Sequence, residues 1–134
     1  MSFHGNPVAK VTLLCSLFLG TSWSLATAAD NSAMAGLIGN TLIQTGDSWE
    51  HHTWYNPDSV YYSSGYWTVN GVTGMGGDDG TYAVESGQLC QMSKLPNKPR
   101  VCGLPGLNHK LGDKWDGKTA DGKPEHYEIA QGHQ

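Results

Sequence analysis

Gly65 to Met92 reads GYWTVNGVTGMGGDDGTYAVESGQLCQM, and this run decides the fold. Asn70-Gly71 separates the β-rich runs Gly65 to Val69 and Val72 to Met75. Glu85-Ser86-Gly87 separates Thr81 to Glu85 from Gln88 to Met92. Asn-Gly favours positive φ at both positions, and that twist lets two strands fold back as a tight hairpin. Between the two hairpins, Gly74 to Gly80 (GMGGDDG) reads as a loop.

Working outward, the same alternation continues. Thr41 to Thr45, His51 to Tyr55 and Ser59 to Tyr62 precede the run as candidate strands. Arg100 to Cys102, Lys114 to Trp115 and His126 to Ala130 follow it. Ser63-Ser64-Gly65 and Asp121-Gly122 read as further turns, and Lys114 to Pro124 as a second loop-like stretch. Strands about ten residues apart, with no helix between them, predict an antiparallel meander closed into a barrel or sandwich. One short helix is expected ahead of them over 31–39 (NSAMAGLIG). Asn31 or Ser32 would cap it, Met34, Leu37 and Ile38 would share a face, and Gly39 would end it. The fold class expected is therefore mainly β: a small antiparallel barrel preceded by a short N-terminal helix.

Residues 1–29 have the make-up of a secretory signal peptide. Lys10 and the amino terminus are basic, Val11 to Leu19 is an apolar core, and Ala26-Thr27-Ala28 is a small-x-small cleavage pattern. Cleavage after Ala28 or Ala29 leaves a single domain over 30–134. No apolar stretch approaches the roughly 18 residues that a membrane-spanning helix needs. The expected location is periplasmic or secreted. Cys90 and Cys102 are then in an oxidising setting and are expected to pair, closing a 13-residue loop worth roughly 3 kcal/mol. From Asp30 onward, twelve Asp and Glu face seven Lys and Arg, and none of the seven lies before Lys94. A half without basic residues is a poor nucleic-acid surface and disfavours anionic ligands.

Gly39-Asn40-Thr41-Leu42, Gly80-Thr81-Tyr82-Ala83-Val84 with Gly87, Leu89 and Cys90, the second cysteine at Cys102, and Gly112-Asp113 with Trp115 form a skeleton. It resembles small exported proteobacterial proteins of unassigned function with a lipocalin-like (calycin) β-barrel. The resemblance spans roughly residues 36–130 and rests on turn glycines, strand starts and the cysteine pair. It implies a fold and says little about activity.

Functional residues must therefore be sought outside that skeleton. The 105 residues from Asp30 carry only fifteen Ile, Leu and Val, no Phe, and ten Trp and Tyr. Seven of those ten rings fall between Trp49 and Trp67. Trp and Tyr combine apolar area with a polar edge, which suits a ligand cavity as well as a core. Trp49, Trp54, Tyr55, Tyr66, Trp67 and Tyr82 are the candidate ligand-binding residues. Adjacent His51 and His52 on a strand must point to opposite faces, His52 with Glu50 and Trp54, His51 with Trp49, Thr53 and Tyr55.

The expected function is an exported binding module for a small, partly apolar or aromatic molecule. The alternative is a cofactor-free acid–base enzyme (a lyase, isomerase or dehydratase) in the same cavity. There His51 or His52 would act as base, Glu50 or Asp47 as orienting carboxylate, and a tyrosine hydroxyl as acid or oxyanion donor. An envelope interaction module is a third class. No cofactor motif is present, no HExxH or CxxC spacing marks a metal site, and no GxSxG marks a serine nucleophile. Asp78 and Asp79 lack EF-hand spacing and read as a solvated turn. Glu85 reads as a solvated strand end.

Overall fold

The computed structural model describes residues 32–134; the segment read as a signal peptide lies outside the described residues. Eight strands follow one another: β1 (Thr41–Thr45), β2 (Trp49–Tyr55), β3 (Val60–Val69), β4 (Val72–Glu85), β5 (Gln88–Ser93), β6 (Val101–Leu104), β7 (Lys114–Lys118) and β8 (Pro124–Ala130). They form one antiparallel sheet in the order β6-β5-β4-β3-β2-β1-β8-β7, curled into a half-barrel. Asn70-Gly71 and Ser86-Gly87 turn the chain between β3, β4 and β5, all four residues at positive φ as two-residue hairpins require. Cys90 on β5 and Cys102 on β6 are cross-strand partners and form the disulfide.

Two expected breaks are absent. Ser63-Ser64-Gly65 lies inside β3, and Gly74 to Gly80 lies inside β4, so the two runs on each side fuse into strands of 10 and 14 residues. The glycines mark close approach, not turning. A Cβ on Gly80 would stand 2.0 Å from the Met92 carbonyl oxygen, and one on Gly65 would stand 2.6 Å from the Glu50 carbonyl oxygen. Glycine within a strand is the signature of such crowding.

The barrel expected from the strand spacing does not close. Edge strands β6 and β7 are only four and five residues long and do not pair with each other. After β6 the chain leaves the sheet through Pro105 and Gly106, with Leu104 and Leu107 packed on the core and Gly106 against Leu37. Lys114 and Lys118 on β7 suit an edge that must resist further pairing.

Of the helix expected over 31–39, Asn31 lies outside the described residues, Ser32 and Ala33 are helical, and turns follow over 34–37. Ala35 N–H donates to Ser32 O, and the N–H groups of Leu37 and Ile38 both donate to Met34 O. Tertiary contacts then take over: Asn108 N–H donates to Ala33 O, and Gly39 N–H donates to Tyr55 O. A helix this short has little stability of its own, so docking decides its shape. Gly36 lies against the His109 carbonyl, where a Cβ would clash at 2.0 Å.

Period-2 alternation sorts the sheet into two faces. Leu42, Tyr55, Tyr61, Tyr82, Leu89 and Ile129 point inward and pack with Met34 and Leu37 as the buried core. Residues 32–39 and the loop after β6 thus plug one end of the trough. The other end, towards the β3–β4 turn, is open. No helix among the described residues is long and apolar enough to cross a membrane.

Candidate functional site

The open end is built rung by rung from cross-strand partners on the inner face. Trp49 pairs with Trp67 and Trp67 with Gly74. His51 pairs with Gly65 and Gly65 with Gly76. Thr53 pairs with Ser63 and Ser63 with Asp78. Two rungs therefore carry rings on β2 or β3 and bare backbone on β4. The Trp67 indole lies across Gly74, where a Cβ would sit 2.5 Å from its ring carbons, and reaches over Gly76. Side chains at Gly65 and Gly76 would fill the space that remains. The result is a cavity of about 490 Å³ whose walls include Trp49, His51, Trp67, Asp78 and Lys98.

Asp78 closes the inner end of this cavity. Its Oδ1 accepts from the Ser93 hydroxyl at 2.5 Å and its Oδ2 from the Tyr61 hydroxyl at 2.8 Å. Lys98 Nζ lies 3.3 Å from the same Oδ2. Burial alone would raise the carboxyl pKa, but the donors Ser93, Tyr61 and Lys98 outweigh it and hold the group below the usual carboxylate range. Burial, reinforced by the neighbouring carboxylate, pushes the Tyr61 phenol well above its ordinary value. Asp78 and Lys98 also line a second recess of about 180 Å³ with Tyr61, Gln91, Ser93 and Val101.

His51 faces this arrangement from β2. Burial pushes its imidazole below the ordinary value of 6.5, and His52 next to it adds to the effect. The Asp78 charge opposes that shift and Lys98 supports it. The group is consequently neutral at neutral pH and offers one nitrogen as donor and one as acceptor.

The opposite face carries the other histidine. His52 Nε2 and Glu50 Oε1 are 2.7 Å apart on the outer surface of β2. Trp54 lies on that face too, stacked between Tyr62 and His133 with ring centroids 5.8 and 4.9 Å away. A third depression, of about 340 Å³, opens beside β7 and β8 around Ile43, Lys114, Asp116, His126 and Glu128. Its charged groups are already paired, His126 with Asp116 and Lys114 with Glu128.

No protein-family model matches the chain, and no curated protein or solved structure matches it either. The site therefore has to be read from its own geometry.

The residues singled out in the sequence divide three ways. Trp49, His51, Tyr66 and Trp67 line the large cavity, Tyr66 from the outward-facing register of β3. Tyr55 and Tyr82 are core residues, their rings edge to face at 5.1 Å, with Gln91 donating to the Tyr55 hydroxyl and Tyr82 donating to Asn56 O. Glu50, His52 and Trp54 present their side chains outward, and Asp47 sits exposed between β1 and β2. Glu85 is exposed and pairs with Arg100.

Sequence reasoning gave no site role to Asp78 and Lys98, which line the cavity, or to Tyr61 and Ser93, which donate to Asp78 from behind it. Asp78 is not in a solvated turn, because the glycines around it belong to a strand. The available signal was period 2: counted from Tyr82 back along β4, Asp78 and Gly80 share its face. Among the described residues, no group of three or more His, Cys, Asp or Glu is arranged to hold a metal.

Proposed function

We propose that this chain is an exported binding module that takes a small, partly apolar or aromatic molecule into the open end of the half-barrel. One observation carries the reading. A cavity of about 490 Å³, the size of a small-molecule site, is walled by two tryptophans and floored by glycines. Structural cores fill such spaces; here the third strand of both rungs carries no side chain. Among its polar groups, Asp78 and Ser63 are held in place by their own hydrogen bonds, which is how orientation is imposed on an apolar ligand. The cross-strand disulfide and the signal-like segment 1–29 support export to the periplasm or beyond. The skeleton's resemblance to exported lipocalin-like proteins supports the same assignment, with an open trough in place of a closed barrel.

The test is a titration with phenol, indole and 1-naphthol, followed by calorimetry. Binding is expected to rise with ring area, and Trp49→Ala or Trp67→Ala is expected to weaken it about tenfold. Trp54→Ala, on the other face, should leave it unchanged. Equal loss from all three variants would overturn the assignment of the site.

A second reading, a cofactor-free lyase, isomerase or dehydratase, has one specific observation in its favour. His51 is a neutral imidazole lining the same cavity as an ionised carboxylate, Asp78. In that reading His51 is the base, and Asp78 takes the orienting place expected for Glu50 or Asp47. His51→Gln would then abolish turnover while leaving ligand affinity within about twofold.

A further inference from the structure

We infer that the molecule held in this cavity is an aromatic carboxylate, its ring against Trp49 and Trp67 and its carboxylate on Lys98; this rests on the binding reading above. The argument lies in the asymmetry of the Asp78–Lys98 pair. Asp78 is turned inward, with 18% of its side chain exposed, and its oxygens already receive Ser93, Tyr61 and Lys98. A carboxylate in that state is a poor partner for a cationic ligand. Lys98 is the outward member, with 50% of its side chain exposed. An ammonium has three N–H donors, and Asp78 lies beside only one edge of it. The pair therefore presents its cationic end to the cavity and keeps its anionic end anchored in the protein.

Of the other carboxylates at this end, Asp47 is exposed in the β1–β2 turn, outside the cavity lining. Glu50 contributes to the wall through β2, but its carboxylate is bonded to His52 on the far face. His51 is neutral and able to donate from one nitrogen. Asp79, next to Asp78 in sequence, points outward and is paired with Lys94. The absence of Lys and Arg from residues 30–93 argued against anionic ligands. The β5–β6 loop reverses that, because it folds Lys98 back from the basic part of the chain onto the acidic strands.

The test uses the purified protein and three matched pairs of probes: phenylacetate, indole-3-acetate and 1-naphthylacetate, each with its neutral amide. The acids are expected to bind about tenfold more tightly than the amides, as a charge-assisted contact to an ammonium warrants. Lys98→Met should remove that preference by weakening the acids alone, and Lys98→Arg should retain it. Raising salt should weaken the acids and leave the amides unchanged. Amides that bind as well as acids in the unaltered protein would overturn this inference and leave the binding reading standing. So would a preference that survives in Lys98→Met. Failure of all six probes to bind would overturn both. Should Lys98→Met unfold, the acid–amide ratio in the unaltered protein and in Lys98→Arg still decides.

Discussion

The Tyr61 hydroxyl donates to Asp78 Oδ2 at 2.8 Å, and Tyr61 itself is a buried member of the core. The core and the cavity thus share one hydrogen bond, and the carboxylate that limits the cavity is held by a ring that fills the interior.

Removing that link should cost stability before it affects anything else. Tyr61→Phe leaves Asp78 with Ser93 and Lys98 and is expected to destabilise the protein by about 1 kcal/mol. Asp78→Asn removes the charge opposite Lys98 and breaks the acceptor pattern, for about 2 kcal/mol. The double variant should cost less than the sum, because Tyr61→Phe removes the bond that Asp78→Asn weakens. Urea unfolding of the three variants measures this; strict additivity would mean that the bond contributes nothing.

Acid should act through two groups with separate windows. The folded-state pKa of His51 is depressed, so below its ordinary value of 6.5 the unfolded chain binds the proton more readily than the folded one. Stability therefore rises with pH through that window, and the penalty is fully relieved above it. Asp78 is also depressed, so its contribution is present above its ordinary value of 3.8 and is lost as pH falls through the folded-state pKa. Urea midpoints recorded from about pH 3 to about pH 8 should show both slopes. His51→Gln should flatten the upper one and leave the lower one in place.

Two glycines four residues apart should respond oppositely to the same substitution. Gly80→Ala drives a methyl into the Met92 carbonyl, 2.0 Å away, and should cost about 3 kcal/mol or more. Gly76→Ala meets only the far edge of the Trp67 ring, at 3.2 Å, which has room to move. Its thermal midpoint should stay close to that of the unaltered protein while affinity for indole falls. A large loss of stability from Gly76→Ala would mean that the Trp67 ring is fixed in place.

The disulfide holds an edge strand to the sheet. Replacing Cys90 and Cys102 together by Ala should lower stability by roughly 3 kcal/mol, the amount expected for a closed loop of this length. Melting under reducing conditions should reproduce the effect in the unaltered protein and leave the double variant unchanged.

Much of the sheet was legible because its cues are local. Asn70-Gly71 and Ser86-Gly87 specify their turns through backbone preference alone, and β1 runs from Thr41 to Thr45 in both sequence and structure. The opposite orientation of His51 and His52 follows from the pleat. Glycine misled where it served space instead of turning. At Gly65 and Gly80 the reason for its presence is a carbonyl on a neighbouring strand, which no window of sequence contains. The same limit applied to the site. Asp78 becomes a wall of the cavity only once Tyr61, Ser93 and Lys98 arrive from β3, β5 and the loop beyond. Closure of the barrel was over-read for a related reason, since strand count does not reveal whether two short edges meet.

Glycine-floored rungs at the mouth and a hydrogen-bonded carboxylate at the inner end give the trough two different tolerances for change. Near Trp49 and Trp67, a residue can be exchanged and alter what fits without disturbing the interior. At Asp78, any exchange shows first as lost yield of folded protein. A lineage of such chains would therefore diversify its ligand rings readily while keeping one anchoring point, and a library built for new specificities should be randomised from the mouth inward and stopped before Asp78.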